Sequence, residues 1–134
     1  MNINFSSWPS YSKEEADAVR DVLFSNKVNY WTGNEGRNFE LEFADWVGTK
    51  YAVALANGTV ALESALLAIG VSEGDEVIVT SRTFIASVSS IILAGANPVF
   101  VDVDRDTQNI TAELVVPAIT DSTKVILCVH LAGF

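Results

Sequence analysis

Short apolar segments alternate with segments of helical spacing along the second part of the chain, and this alternation constrains the fold more than any other feature. Four apolar segments have the length of strands: residues 51–56, 76–80, 98–103 and 123–130. Three longer segments between them repeat apolar residues at helical spacing: residues 59–69, 84–93 and 111–119. A strand, helix, strand unit joins parallel strands, so the pattern predicts an α/β fold with three layers, in which a mainly parallel sheet carries helices on both faces. Pro117 is expected to kink or shorten the third of these helices.

The first 50 residues follow a different pattern. Ser12 and Glu15 form a capping-box sequence ahead of a first helix that is expected to end near Ser25. Aromatic residues at helical spacing predict a second helix that ends at Gly48. We therefore divide the chain into an N-terminal segment of helices and loop, residues 1–50, and a βαβαβαβ core, residues 51–134.

The last predicted strand is followed by only four residues, Leu131 to Phe134. A parallel strand without a covering helix would expose apolar surface to water. We therefore expect the natural protein to continue beyond Phe134, so that this chain is the truncated N-terminal part of a larger domain.

Charge and cysteine content narrow the classes of partner. The chain has 17 acidic and 8 basic residues, a net charge of -9, and no run of Lys or Arg. Nucleic acid and anionic membranes are therefore not expected as partners. The single cysteine, Cys128, lies in an apolar run and is predicted to be buried, and residues 1–9 lack the features of a signal peptide. These features favour a cytoplasmic protein.

Asn57, Gly58 and Thr59 form the strongest local candidate for a binding site. They lie between a predicted strand and the start of a helix, where free N–H groups and the helix dipole favour an anion such as phosphate. From the tripeptide alone, a simple turn with a helix N-cap is the plainer interpretation. The sequence matches neither the P-loop nor the dinucleotide-binding glycine pattern, so nucleoside triphosphates and NAD are not favoured.

Phe84 opens the next predicted helix, just beyond the carboxyl end of strand 76–80. Open α/β sheets bind ligands at this edge, so the ring could stack on a flat heterocycle whose phosphate lies at Thr59. The alternative is that Phe84 belongs to the core. Cys128 and His130 are too few for a metal site and lie on one strand, so no metal is expected and His130 is interpreted as structural.

Five motifs occur in the order and spacing of a known family. They are Tyr51-Ala-Val-Ala-Leu-Ala-Asn-Gly-Thr59 with its following helix, Gly74-Asp-Glu-Val-Ile-Val-Thr80, Thr83-Phe-Ile-Ala-Ser87, Gly95-Ala-Asn-Pro-Val-Phe-Val-Asp-Val-Asp104 and Val129-His-Leu-Ala-Gly133. In these motifs the chain resembles the DegT/DnrJ/EryC1/StrS family of sugar-nucleotide aminotransferases. These enzymes depend on pyridoxal 5'-phosphate (PLP) and have the aspartate aminotransferase fold, fold type I.

The resemblance implies roles for particular residues. Gly58 and Thr59 would hold the cofactor phosphate, with help from Asn57, and Phe84 would stack on the pyridine ring. Trp31, Thr32 and Gly33 lie where family members line the sugar-nucleotide pocket, which implies a part in substrate binding. The alternative for this loop is an aromatic residue that only anchors it.

The activity implied by the family belongs to a longer chain. The enzyme would transfer an amino group, which is expected to come from glutamate, through the cofactor to a keto-sugar nucleotide. The reaction would serve polysaccharide or other amino-sugar biosynthesis, and the enzyme would be a homodimer. The Schiff-base lysine is expected beyond Phe134, because the lysines at 13, 27, 50 and 124 lie outside the matched lysine motif. This chain would then hold no catalytic residue, and alone it is expected to be inactive while binding PLP weakly at Thr59.

Two alternatives remain open at this point. One is a PLP-dependent sugar dehydratase of the same family, in which the Schiff-base lysine is replaced. The other is a non-catalytic, phosphate-binding α/β remnant. The residue that separates the two enzymes would lie beyond Phe134.

Overall fold

A computed structural model describes residues 8–133. The chain divides into two compact units, Met1–Ala54 and Leu55–Phe134. We describe each unit by itself.

The first unit contains two helices, α1 (Lys13–Phe24) and α2 (Glu35–Val47). The Ser12 hydroxyl accepts a hydrogen bond from the Glu15 N–H at 3.2 Å, and the Glu15 carboxylate accepts one from the Ser12 N–H at 2.6 Å. This reciprocal pair is the predicted capping box. Helix α2 ends at Gly48, whose φ of 73° lies in the left-handed region that glycine adopts without strain. Both predicted helices are confirmed.

The second unit is a parallel sheet with helical connections. Its elements in chain order are α3 (Gly58–Ala68), β1 (Glu76–Thr80), α4 (Ile85–Leu93), β2 (Asn97–Val101), α5 (Ala112–Val115) and β3 (Thr123–Leu127). The strand order is β2-β1-β3, and β1 pairs in parallel with both neighbours. The central position of β1 explains its burial, since Val77 to Val79 are fully buried.

The core of the second unit lies on both faces of the sheet. On one face, Val77 and Val79 pack with Leu66 of α3 and Ile91 of α4. On the other face, Ile78 packs with Val101 and with Val115 of α5. Alternate residues of β1 thus face opposite layers, as a pleated strand requires. The predicted three-layer α/β fold is confirmed.

The predicted strand at residues 51–56 is wrong. This segment pairs with no strand in the part of the chain that the structure describes. Tyr51 and Val53 are each 75% exposed. An apolar segment becomes a strand only where a neighbour accepts its backbone hydrogen bonds, and the three strands of the sheet leave this segment without one.

Three further expectations need correction. The last strand ends at Leu127 and not at His130, and helix α5 covers only Ala112–Val115 before a 3₁₀ turn at Val116–Ala118. The expected shortening by Pro117 is confirmed, since Pro117 lies in that turn and has no N–H to donate to a further helical hydrogen bond. Cys128 is exposed and not buried. It follows the edge strand β3, on which Val125 and Leu127 face the core and the alternate residues do not.

None of the helices within residues 8–133 has the length and apolar character needed to cross a lipid bilayer.

Candidate functional site

A cleft of about 820 Å³ opens at the carboxyl ends of β1 and β3, within the second unit. It is lined by the start of α3, the start of α4 and the residues that follow β3: Asn57, Gly58, Thr59, Ala61, Leu62, Thr83, Phe84, Ala86, Ser87 and 129–132. The structure therefore brings four predicted site residues into one cleft. This is the edge at which parallel α/β sheets bind ligands.

The turn before α3 presents hydrogen-bond donors to the cleft. Asn57 caps the helix, because its side-chain oxygen accepts from the Val60 N–H at 3.1 Å. The next two N–H groups, of Gly58 and Thr59, have no acceptor among residues 8–133, as expected for the first turn of a helix. A Cβ on Gly58 would meet nothing within 4 Å. Backbone donors with open space in front of them suit a phosphate.

The ring of Phe84 is part of this cleft and not of the core. Phe84 is 74% exposed and precedes the first residue of α4. Its position at the end of the loop after β1 places a flat apolar surface in the same cleft as the turn Asn57 to Thr59. Stacking on an aromatic heterocycle is the interaction that such a ring offers.

Two side-chain hydroxyl groups of the cleft were not predicted as site residues from the sequence. Thr83 and Ser87 lie 2.8 Å apart, oxygen to oxygen, and Ser87 is buried. The signal that could have found them is their spacing, since residues four apart at the start of a helix lie on the same face. Val129 to Ala132 were also not assigned to the site, because nothing in their sequence shows that the chain turns back at the end of β3 to line it.

The loop after β2 is held by its own acidic residue. The Asp104 carboxylate accepts N–H bonds from Thr107 at 2.8 Å and from Asp106 at 3.2 Å. These bonds, that of Thr107 foremost, hold the pKa of Asp104 below its usual value. Asp104 is not one of the residues that line the cleft, and its carboxylate serves the turn.

The predicted substrate loop, Trp31 to Gly33, lies in the first unit and is built around Asn29. The Asn29 side-chain oxygen accepts from the N–H groups of Trp31 and Thr32, both at 3.0 Å, and from the Thr32 hydroxyl at 3.1 Å. Gly33 is buried and donates its N–H to the Asn29 carbonyl at 2.8 Å. Trp31 is 88% exposed, so its ring does not anchor the loop within this unit.

We predict that Gly33→Ala destabilises the first unit. A Cβ at this position would clash with the carbonyl oxygen of Lys27, so the backbone of the loop must move. Overpacking of this kind costs about 1–3 kcal/mol. Gly58→Ala is the matched control, because its added methyl group meets no atom within 4 Å. Equal urea midpoints for the two variants would contradict the tight packing at Gly33.

Comparison with known proteins identifies the family. The model of the DegT/DnrJ/EryC1/StrS aminotransferase family matches residues 9–134. GDP-perosamine synthase of Escherichia coli O157:H7 is 46% identical over 125 residues, which are 93% of this chain and 34% of that protein.

Solved structures agree in fold. An aminotransferase from Psychrobacter cryohalolentis is 60% identical with a TM-score of 0.92, over 96% of this chain and 33% of that one. A sugar aminotransferase from Streptococcus pneumoniae in its PLP form is 40% identical with a TM-score of 0.88, over 99% of this chain and 33% of that one. This chain thus spans about a third of the length of these relatives. Because the family model matches nearly the whole chain, the chain belongs to the DegT/DnrJ/EryC1/StrS aminotransferase family.

Proposed function

We propose that this chain forms the N-terminal third of a PLP-dependent aminotransferase that transfers an amino group from glutamate to a keto-sugar nucleotide. The observation that carries the proposal is the single cleft that joins the donors of Gly58 and Thr59 to the exposed ring of Phe84. The named relatives support the reaction class, since they are a GDP-perosamine synthase and aminotransferases.

The cleft residues fit PLP group by group. The phosphate would accept hydrogen bonds from the N–H groups of Gly58 and Thr59 and from the Thr59 hydroxyl, while Asn57 keeps the turn in place through its cap. Phe84 would cover one face of the pyridine ring. The bound cofactor supplies the electron sink that amino transfer needs, and these residues fix its position.

We assign the other parts of the reaction to the remainder of a longer protein. The Schiff-base lysine would lie beyond Phe134, as would the acidic partner of the pyridine nitrogen. The loop Trp31 to Gly33 would contact the sugar nucleotide, and the complete enzyme would act as a homodimer in polysaccharide or amino-sugar biosynthesis. The named relatives favour amino transfer over the dehydratase alternative. The proposal also displaces the remnant alternative, which a stop codon directly after Phe134 would restore.

The test begins with the coding sequence downstream of Phe134. We expect it to continue into an acidic residue and a lysine, and we expect the complete protein with PLP to convert L-glutamate into 2-oxoglutarate while the cofactor becomes pyridoxamine phosphate. A GDP-linked keto-sugar should then gain the amino group and restore PLP. Mass spectrometry of both products follows the reaction. A continuous reading frame whose protein leaves glutamate unchanged overturns the proposal.

A further inference from the structure

We propose that Arg37 and Glu40, one turn apart on α2, are positioning residues that hold the loop Tyr30 to Gly33 in its substrate-binding conformation. The inference rests on the proposed function, because it assigns that loop to the sugar nucleotide. In this arrangement two charged side chains of one helix contact the loop at both of its ends, Tyr30 and Gly33.

Glu40 holds the first end of the loop. Its Oε2 atom accepts a hydrogen bond from the Tyr30 hydroxyl at 3.1 Å, and its Oε1 atom accepts one from the Ala54 N–H at 2.8 Å. Both carboxylate oxygens are thus used, by partners 10 and 14 residues away in the chain. Hydrogen bonds to a charged carboxylate are stronger than those between neutral groups. Glu40 therefore ties the loop and the segment around Ala54 to one point on α2.

Arg37 holds both ends at once. Its guanidinium carbon lies 4.5 Å from the centroid of the Tyr30 ring, and its Nη1 atom donates to the Gly33 carbonyl at 3.3 Å. A cation over an aromatic face is attractive by about 0.5–1 kcal/mol at exposed sites. The Tyr30 side chain is thereby fixed by Arg37 over its ring and by Glu40 at its hydroxyl.

The held loop presents an exposed aromatic side chain. Asn29 fixes the backbone of Trp31 and Thr32 from within, and α2 fixes its two ends. Yet Trp31 is 88% exposed, so these contacts do not serve to bury its indole. A large rigid ring on an ordered turn loses little entropy when a planar ligand stacks on it. Holding this turn in place therefore benefits ligand binding more than it benefits the core.

The experiment uses the complete protein with GDP and UDP as nucleotide probes. The variants are Glu40→Ala, which removes both bonds, Glu40→Gln, which keeps one carbonyl acceptor, and Tyr30→Phe, which removes only the hydroxyl. Glu42→Ala is the matched control, because Glu42 is exposed on the same helix. Calorimetry measures nucleotide affinity, absorbance measures PLP binding, and amide hydrogen exchange at Trp31 and Thr32 measures the order of the loop.

We expect Glu40→Ala to weaken binding of the preferred nucleotide at least about tenfold, the equivalent of one charge-assisted hydrogen bond. Amide exchange at Trp31 and Thr32 should accelerate in Glu40→Ala. Glu40→Gln should recover part of the nucleotide affinity. Tyr30→Phe should weaken nucleotide binding and leave the affinity for PLP unchanged. If the parent protein binds the nucleotide but Glu40→Ala changes neither the nucleotide affinity nor amide exchange in the loop, the positioning role is overturned while the proposed function stands. A parent protein that binds PLP but neither nucleotide overturns the substrate class, and the positioning role with it.

Discussion

Replacing Ile91 with alanine is expected to lower the free energy of unfolding of the second unit by about 2–5 kcal/mol. Ile91 is fully buried on α4 and packs in the cluster that contains Val77 and Val79 of the central strand. Loss of its side chain removes apolar burial and leaves a cavity that the surrounding strand and helices cannot close completely. Because typical domains are stable by only about 5–15 kcal/mol, this is a large fraction of the total.

The matched control is Ile92→Ala, the same change at the next residue of the same helix. Ile92 is 59% exposed and belongs to neither core cluster, so the expected loss is well below that at Ile91. Urea denaturation followed by circular dichroism of the 134-residue chain gives both values. Similar midpoints for the two variants would show that α4 does not pack on the sheet through Ile91.

The order of elements in the core was predictable because β1 is buried on both faces. A strand in that position needs a short apolar run, and Val77 to Val79 form such a run at the centre of β1. The segment around Val53 is also apolar, but it pairs with no strand within residues 8–133, and apolar character alone does not show whether a partner strand exists. The prediction that Cys128 is buried was wrong for a related reason, since the burial of a residue that follows an edge strand depends on what covers it.

Some residues of the candidate site could likewise be predicted from the sequence and others could not. Asn57 to Thr59 and Phe84 could be found because each lies at a junction between a strand-like and a helical segment, where ligand sites concentrate. The contacts of Arg37 and Glu40 with the loop Tyr30 to Gly33 join residues that are several positions apart in the chain. A charged residue on a helix has the sequence appearance of an exposed face, so only the structure identifies its partner.

Replacing Gly58 with alanine is expected to raise the dissociation constant for PLP at least about tenfold. Gly58 and Thr59 line the cleft and their N–H groups have no acceptor among residues 8–133, so a bound phosphate would lie close to Gly58. A methyl group added there meets no atom within 4 Å and would therefore compete with the phosphate for the free space. A displaced phosphate loses charge-assisted hydrogen bonds worth about 1.5–3 kcal/mol each, and about 1.4 kcal/mol corresponds to tenfold in affinity.

Stability and a second ligand separate this effect from damage to the fold. Gly58 is the first residue of α3 and does not have positive φ, so alanine there should leave the melting temperature unchanged or raise it slightly. Pyridoxal, which lacks the phosphate, should bind the variant and the parent equally, and Ser64→Ala on the exposed part of α3 should change neither affinity. Because PLP and pyridoxal differ only in the phosphate, a selective loss of PLP binding would assign the phosphate to this turn. If the affinities for PLP and pyridoxal fall equally, the substitution affects binding of the pyridine ring and not of the phosphate. If the affinity for PLP is unchanged, the turn is not part of the site.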